Sequence, residues 1–270
     1  MSQDLLDLAQ SIAVQAGEYA AERRRAGVTV ADTKSNELDI VTAVDRDTES
    51  MILALILQSR PNDAVFGEED GGVAGTSGLT WVVDPIDGTV NFVYDIPGWA
   101  VSIGVVEGDV DPATWNQLAG AVYNPVLDEL FSAAADGPAD RNGREIHVNP
   151  ATDLSTALVA TGFSYGRDES TRQAHVLAGL MGSIRDVRRT GAASLDLCAV
   201  ACGRVDAYFE AQTKPWDFAA GSLIARQAGA RVAGLGGAPL GQAMVLAAPE
   251  PVFEQLEREL IALEAAGQND

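Results

Sequence analysis

Thiols and imidazoles are almost absent: the chain has two cysteines, Cys198 and Cys202, and two histidines, His147 and His175. So few thiols fit a reducing compartment, and cysteines four apart in a helix-like stretch read as a buried apolar pair, not a disulfide or a metal site. The lack of histidine excludes a His-rich zinc centre and leaves open hard-cation chemistry on oxygen ligands. Basic residues are scarce too, with 18 Lys and Arg against 39 Asp and Glu and a formal charge of −21. That balance cannot lay down the Lys/Arg footprint of a nucleic-acid binder. It does not exclude an anionic ligand, because bound metal ions invert the local potential. No apolar run approaches the roughly 18 residues of a membrane helix, and the opening segment has no basic stretch followed by an apolar one. A cytoplasmic protein without membrane contact is therefore expected.

What is present is a packed chain of 270 residues, 47% apolar and regularly punctuated by glycine. This is enough for one large domain or two modest ones sharing a cleft. Leu5, Leu8, Ile12, Ala16 and Tyr19 recur at helical spacing and lead into Arg23-Arg24-Arg25, cations at the negative end of a helix. VTV and DIVTAV read as a hairpin around an exposed turn holding Lys34 and Asp39, and a helix over 46–59 carries Met51 and Leu55 inward. Strands follow at 64–66, 81–83 and in WAVSIGVVEGD, QLAGAVYNP and VLDELFSAAAD, apolar enough to require helical cover. ADGPADRNGREIHV reads as an irregular segment ending in a short strand, with Arg144 and His147 solvated or structural. NPATDLSTA marks a boundary between an N-terminal α+β domain, 1–148, and a C-terminal α/β domain, 149–270. In the second half, LVATGF, SIRDVRRT, VDAYFE and AMVLAAP read as strands, and 168–181, 191–203, 215–230 and 251–266 as helices. His175 is expected to serve packing. There is no tandem repeat, no GxGxxG and no GxxxxGK[ST].

The chemistry gathers at WVVDPIDGTVNF, residues 81–92. An apolar strand delivers Asp84, Pro85-Ile86 turns the chain, and Asp87 follows before Gly88-Thr89. Asp also caps turns through its own backbone, so this stretch alone does not decide between structure and chemistry. Glu68 likewise follows a strand and a glycine, where ligands of α/β folds collect. Asp70 reads as solvated, and Asp45 as a residue that helps begin the next helix. Asp217 opens a helix beginning KPWDFAAG. Together, Glu68, Asp84, Asp87 and Asp217 would repel one another in one cleft, and divalent cations resolve that repulsion. Two such ions can activate water and stabilise a leaving oxygen, while Gly88 and Thr89 amides receive a phosphate.

Four segments in chain order make the sequence resemble the inositol monophosphatase family: Lys34 to Asp45, Gly67-Glu68-Glu69, Asp84-Pro85-Ile86-Asp87-Gly88-Thr89 with Asn91-Phe92, and Trp216-Asp217. The resemblance implies an α+β fold, the layered α-β-α-β-α sandwich of the inositol monophosphatase and fructose-1,6-bisphosphatase type, and a Mg²⁺-dependent, Li⁺-sensitive phosphatase that forms homodimers. It implies Glu68, Asp84 and the Ile86 carbonyl as ligands of one Mg²⁺ and Asp84, Asp87 and Asp217 as ligands of a second. Glu68 would also lie near a weakly held third ion, and Lys34 on a mobile loop beside the metals. Water on those ions, assisted by Thr89 paired with Asp45, would attack phosphorus directly. Gly88 and Thr89 would hold the phosphate, and Asp87, Ala193, Glu210 and Asp217 the inositol. Val90, where related branches carry lysine, and Glu210, which can accept two adjacent hydroxyls, point to myo-inositol monophosphate. Fructose-1,6-bisphosphate, histidinol phosphate and glycerol phosphate stay open as alternatives.

Overall fold

The structure, a computed structural model, describes residues 2–27, 30–33, 40–69 and 72–267; Lys34, Asp39 and Asp70 lie outside them. Helices α1 (Ser2–Ala26) and α2 (Ala43–Ser59) flank a two-stranded antiparallel ribbon of β1 (Val30–Thr33) and β2 (Ile40–Thr42). A seven-stranded sheet follows in sequence order: β3 (Ala64–Gly67), β4 (Leu79–Asp87), β5 (Ala100–Glu107), β6 (Asn116–Asn124), β7 (Glu129–Ala134), β8 (Asp140–Arg141) and β9 (Arg144–Glu145). The short helix α3 (Thr89–Val93) leaves the end of β4.

A second sheet comprises β10 (Leu158–Thr161), β11 (Asp186–Arg188), β12 (Ala207–Glu210), β13 (Arg231–Ala233) and β14 (Val245–Ala248), in the order β11-β10-β12-β14-β13. Between and around its strands run α4 (Arg167–Leu180), α5 (Ala193–Ala201), α6 (Pro215–Gln227) and α7 (Glu250–Gly267).

Three apolar cores show how these elements stack. Leu5, Ile12 and Ala16 of α1 and Ile52 and Ile56 of α2 pack on Trp81, Val101, Ile103 and Ala121 of the larger sheet. Leu197 of α5 and Phe218 and Ile224 of α6 fill the space between Phe131 of that sheet and Tyr208 and Val245 of the smaller one. Leu180 of α4 and Phe253, Leu256 and Leu260 of α7 cover the far face over Val159, Phe209 and Leu246. The layers run helix, sheet, helix, sheet, helix, as the resemblance implied. Burying both faces of both sheets explains why their strands read as apolar runs rather than alternating ones.

Some sequence expectations shift. The buried stripe of α2 is led by Ile52 and Ile56, with Met51 and Leu55 only partly covered. His175 is exposed on α4, not packed, because that helix buries the stripe of Gln173, Val176 and Leu180 instead. The short strand expected at the end of the segment after β7 is β9, which pairs with an unexpected β8 in a hairpin, and the edge strand β13 carries too short an apolar run to stand out. Cys198 is buried and Cys202 half-buried, both as free thiols. Among the described residues no helix is long and apolar enough to cross a membrane.

Candidate active site between the two sheets

β4 is where the local reading and the structure differ most usefully. Pro85-Ile86 is not a tight turn; the strand continues to Asp87 with a bulge. Asp84 pairs with Ser102 and Asp87 with Ala100, so three steps on β4 oppose two on β5. Residues three apart on a regular strand point to opposite faces, and the extra residue restores their parity. Both carboxylates therefore line one cavity of about 230 Å³. Gly88 then leaves the strand at φ 91°, with Gly98 O 2.9 Å from where a Cβ would sit, which requires glycine on both counts. Thr89 follows as the first residue of α3.

The other acids arrive from three further elements. Glu68 follows β3, and the turn that presents it is held by Glu49, a buried residue of α2 whose Oε2 accepts the Glu69 N–H at 2.8 Å. Asp217 sits in the first turn of α6, where its Oδ2 accepts the Lys214 N–H at 2.6 Å. Pro215 at that first turn forgoes a donor the helix would not have used. The helix comes close to the larger sheet because Gly104 and Gly120 leave no side chains beneath Ala219 and Ala220. Phe66 and Trp216, two residues and one residue before an acid respectively, pack in a tilted pair with ring centroids 5.4 Å apart. Glu210 ends β12 and takes a hydrogen bond from the Tyr208 hydroxyl at 2.9 Å.

Glu68, Asp84, Ile86, Asp87, Gly88, Thr89, Ala193, Glu210 and Asp217 all line this one cavity. Asp45 stands behind it. Its Oδ2 accepts from the Thr42 N–H at 2.9 Å and from the Thr42 hydroxyl, closing a capping box on α2, and its Oδ1 accepts from Thr89 Oγ1 at 3.2 Å. The helix-start reading of Asp45 and its pairing with Thr89 are therefore both seen. Val90 is half-buried on α3 and does not line the cavity.

Sequence reasoning missed several neighbours. Ser194, in the first turn of α5, gives both its N–H, at 2.8 Å, and its hydroxyl to Asp87 Oδ2 across 107 residues of sequence. Asn91 of α3, quoted in the motif but given no role there, donates from Nδ2 to Gly98 O at 2.6 Å and Thr190 O at 2.8 Å, tying the loops before β5 and α5 to that helix. Arg189, Gln212 and Lys214 also line the cavity, as do Phe163 and Tyr165.

The acids are held unwillingly. Burial pushes the Asp87 carboxyl up to about 6, against the two bonds from Ser194 and with help from the charge on Glu68. Burial likewise pushes Glu210 up to about 7, opposed by the Tyr208 bond and reinforced by Asp87. Asp217 is raised well above the ordinary carboxylate range by burial and then by Glu68, Asp87 and Glu210. Among the described residues no three His, Cys, Asp or Glu side chains close into a formed metal cluster. The donor set nevertheless fits a hard divalent cation: four carboxylates and a backbone carbonyl, all oxygen donors, line one cavity.

Stability should report this directly. The raised carboxyls favour folding while protonated, in full below their unfolded values of 3.8 and 4.5, and that contribution is lost as pH rises through about 6 and 7. Cation-free protein is therefore expected to melt at lower temperature at pH 8 than at pH 5, and millimolar Mg²⁺ to restore the loss at pH 8. Calorimetry in chelator with and without Mg²⁺ measures it; a melting point at pH 8 indifferent to Mg²⁺ refutes the reading.

Comparisons with known proteins show which family the chain resembles throughout its length. Residues 1–266 match the model of the inositol monophosphatase family. The chain is 43% identical over 246 residues to the inositol-1-monophosphatase SuhB of Mycobacterium tuberculosis, covering 84% of this chain and 83% of that protein. It is 38% identical over 228 residues to the Nus factor SuhB of Escherichia coli, covering 83% of each. The inositol monophosphatase of Anabaena superposes with a TM-score of 0.83 at 34% identity, over 96% of each chain.

Proposed function

This chain belongs to the inositol monophosphatase family, and from that premise we propose that it hydrolyses myo-inositol monophosphate to myo-inositol and phosphate in a Mg²⁺-dependent reaction. The observation that carries the reading is the convergence of Glu68, Asp84, Asp87 and Asp217 on one cavity with Gly88-Thr89 at one side and Glu210 at another. Glu68, Asp84, Asp87, Asp217 and the Ile86 carbonyl are the residues that would hold two or three Mg²⁺ ions. When bound, such ions polarise phosphoryl oxygens, stabilise the departing alcohol oxygen and lower the pKa of water.

The chain's own groups do the rest. The Gly88 and Thr89 amides receive the phosphate. Thr89 Oγ1 accepts a proton from the attacking water while passing its own to Asp45 Oδ1, 3.2 Å away. Asp45 is fixed for this role because its other oxygen is committed to Thr42. Ser194 orients the Asp87 carboxylate, which would help hold a cation and accept a substrate hydroxyl. Glu210, its carboxylate backed by Tyr208, accepts inositol hydroxyls beside Ala193. Li⁺ inhibition, a cytoplasmic location and a homodimer belong to the same reading. The exposed apolar residues Tyr94, Ile96, Val126 and Leu127 support the dimer, with Ile96 and Val126 lining one groove.

A panel of phosphomonoesters with Mg²⁺ tests the proposal. Inositol 1-phosphate is expected to give the highest kcat/KM and to lose turnover when Li⁺ is added. A ranking in which fructose-1,6-bisphosphate, histidinol phosphate or glycerol phosphate stands far above it would overturn the substrate assignment and leave the phosphatase chemistry in place.

A further inference from the structure

Four non-glycine residues among those described have a left-handed backbone: Asp95, Asp128, Asn142 and Gln212, with φ of 61°, 52°, 52° and 70°. Asp and Asn adopt it readily because a short polar side chain can bond locally. The Asn142 side chain is also anchored to the segment that opens β7, its Oδ1 taking the Leu130 N–H at 2.7 Å and its Nδ2 giving to Asp128 O at 2.8 Å. Glutamine has an extra methylene and no such local compensation, and a glycine at 212 would adopt the same backbone freely.

The conformation is imposed from both sides. The Gln212 N–H donates to Gln242 O at 2.7 Å, and the flanking Ala211 and Thr213 are buried. Its own side chain is exposed, lines the cavity, and stands two residues after Glu210 and two before Lys214. Gln242 Nε2 approaches Gln212 Oε1 at 3.3 Å and gives the side chain a defined neighbour. Backbone strain kept at a cavity wall, where a common residue would relieve it, marks a side chain that is used there.

The group gained over glycine is a primary amide, which donates and accepts at once. Vicinal hydroxyls of a polyol need both partners, and Glu210 beside it can only accept when ionised. We infer that Gln212 is a specificity-determining residue that reads the hydroxyls of the alcohol half of the substrate. The inference rests on the polyol-phosphatase reading above and extends it to a residue on the same wall of the cavity as Glu210.

The test compares inositol 1-phosphate with p-nitrophenyl phosphate, whose leaving group offers no hydroxyl pair, at saturating Mg²⁺. In Gln212→Gly the ratio of kcat/KM for the two substrates should fall about tenfold. The loss should lie in KM for inositol 1-phosphate, and the melting temperature should rise as the strain is released. Gln212→Asn, which tolerates the left-handed backbone and keeps an amide, should recover part of the ratio. A Gln212→Gly protein that melts higher with an unchanged ratio overturns the inference while leaving the polyol reading intact. A wild-type enzyme with no preference for inositol 1-phosphate over p-nitrophenyl phosphate overturns both.

Discussion

Asp87→Asn is expected to lower kcat for inositol 1-phosphate by at least about 10³-fold without unfolding the protein. The side chain is buried, lines the cavity shared by four other carboxylates, and burial pushes its pKa up to about 6. A neutral amide removes the charge a divalent cation needs, yet its oxygen can keep the Ser194 N–H bond now made at 2.8 Å by Asp87 Oδ2. Fold and activity should therefore move in opposite directions. In chelator at pH 8 the variant should melt no lower than the parent, because one member of a repelling set has gone. The Mg²⁺-induced rise in melting temperature should shrink in the same protein. Initial rates and calorimetry across a Mg²⁺ series measure both effects. Turnover within a few-fold of the parent would remove Asp87 from the catalytic site altogether.

That contrast depends on the bulge in β4, which shows how far the sequence could be read. Helices and strands followed from local period, and the order of acidic motifs carried the family and hence the layered fold. The placement of Asp84 and Asp87 did not follow. Proline and an Asp pair signal a turn, whereas a bulge is defined by the partner strand, through Ser102 and Ala100 on β5. The same limit hid Ser194, whose bond to Asp87 spans 107 residues and leaves no periodic trace. Glu49 was more accessible. Asp45, Thr48, Glu49, Ile52 and Ile56 form a single buried face of α2, and acids on the apolar stripe of an amphipathic helix signal a buried polar task. The substrate clue at Val90 worked differently again. It distinguishes branches by resemblance, but the residue does not line the cavity, whereas Glu210 and Gln212, the residues proposed to select the alcohol, do.

Thr89→Ala should cost about 10² to 10⁴ in kcat, the range of a lost proton transfer, with little change in KM. Thr89 Oγ1 has one proton and two acceptors within reach, Asp45 Oδ1 at 3.2 Å and Ile86 O at 3.1 Å. A hydroxyl shared in this way can pass its proton to Asp45 while taking one from water, and alanine can do neither. Serine keeps the hydroxyl, so Thr89→Ser should retain most of the activity; a purely packing role for the threonine methyl predicts the reverse. Asp45→Asn should match the alanine variant in kcat, because an amide oxygen still accepts the bond but is too weak a base to take the proton. It should also destabilise the protein, since Asp45 is fully buried and takes the Thr42 N–H and hydroxyl at the start of α2. If the two residues form one relay, the double variant should be scarcely slower than either single one. Multiplicative losses would mean that Thr89 and Asp45 act separately, with Asp45 serving only the helix it caps.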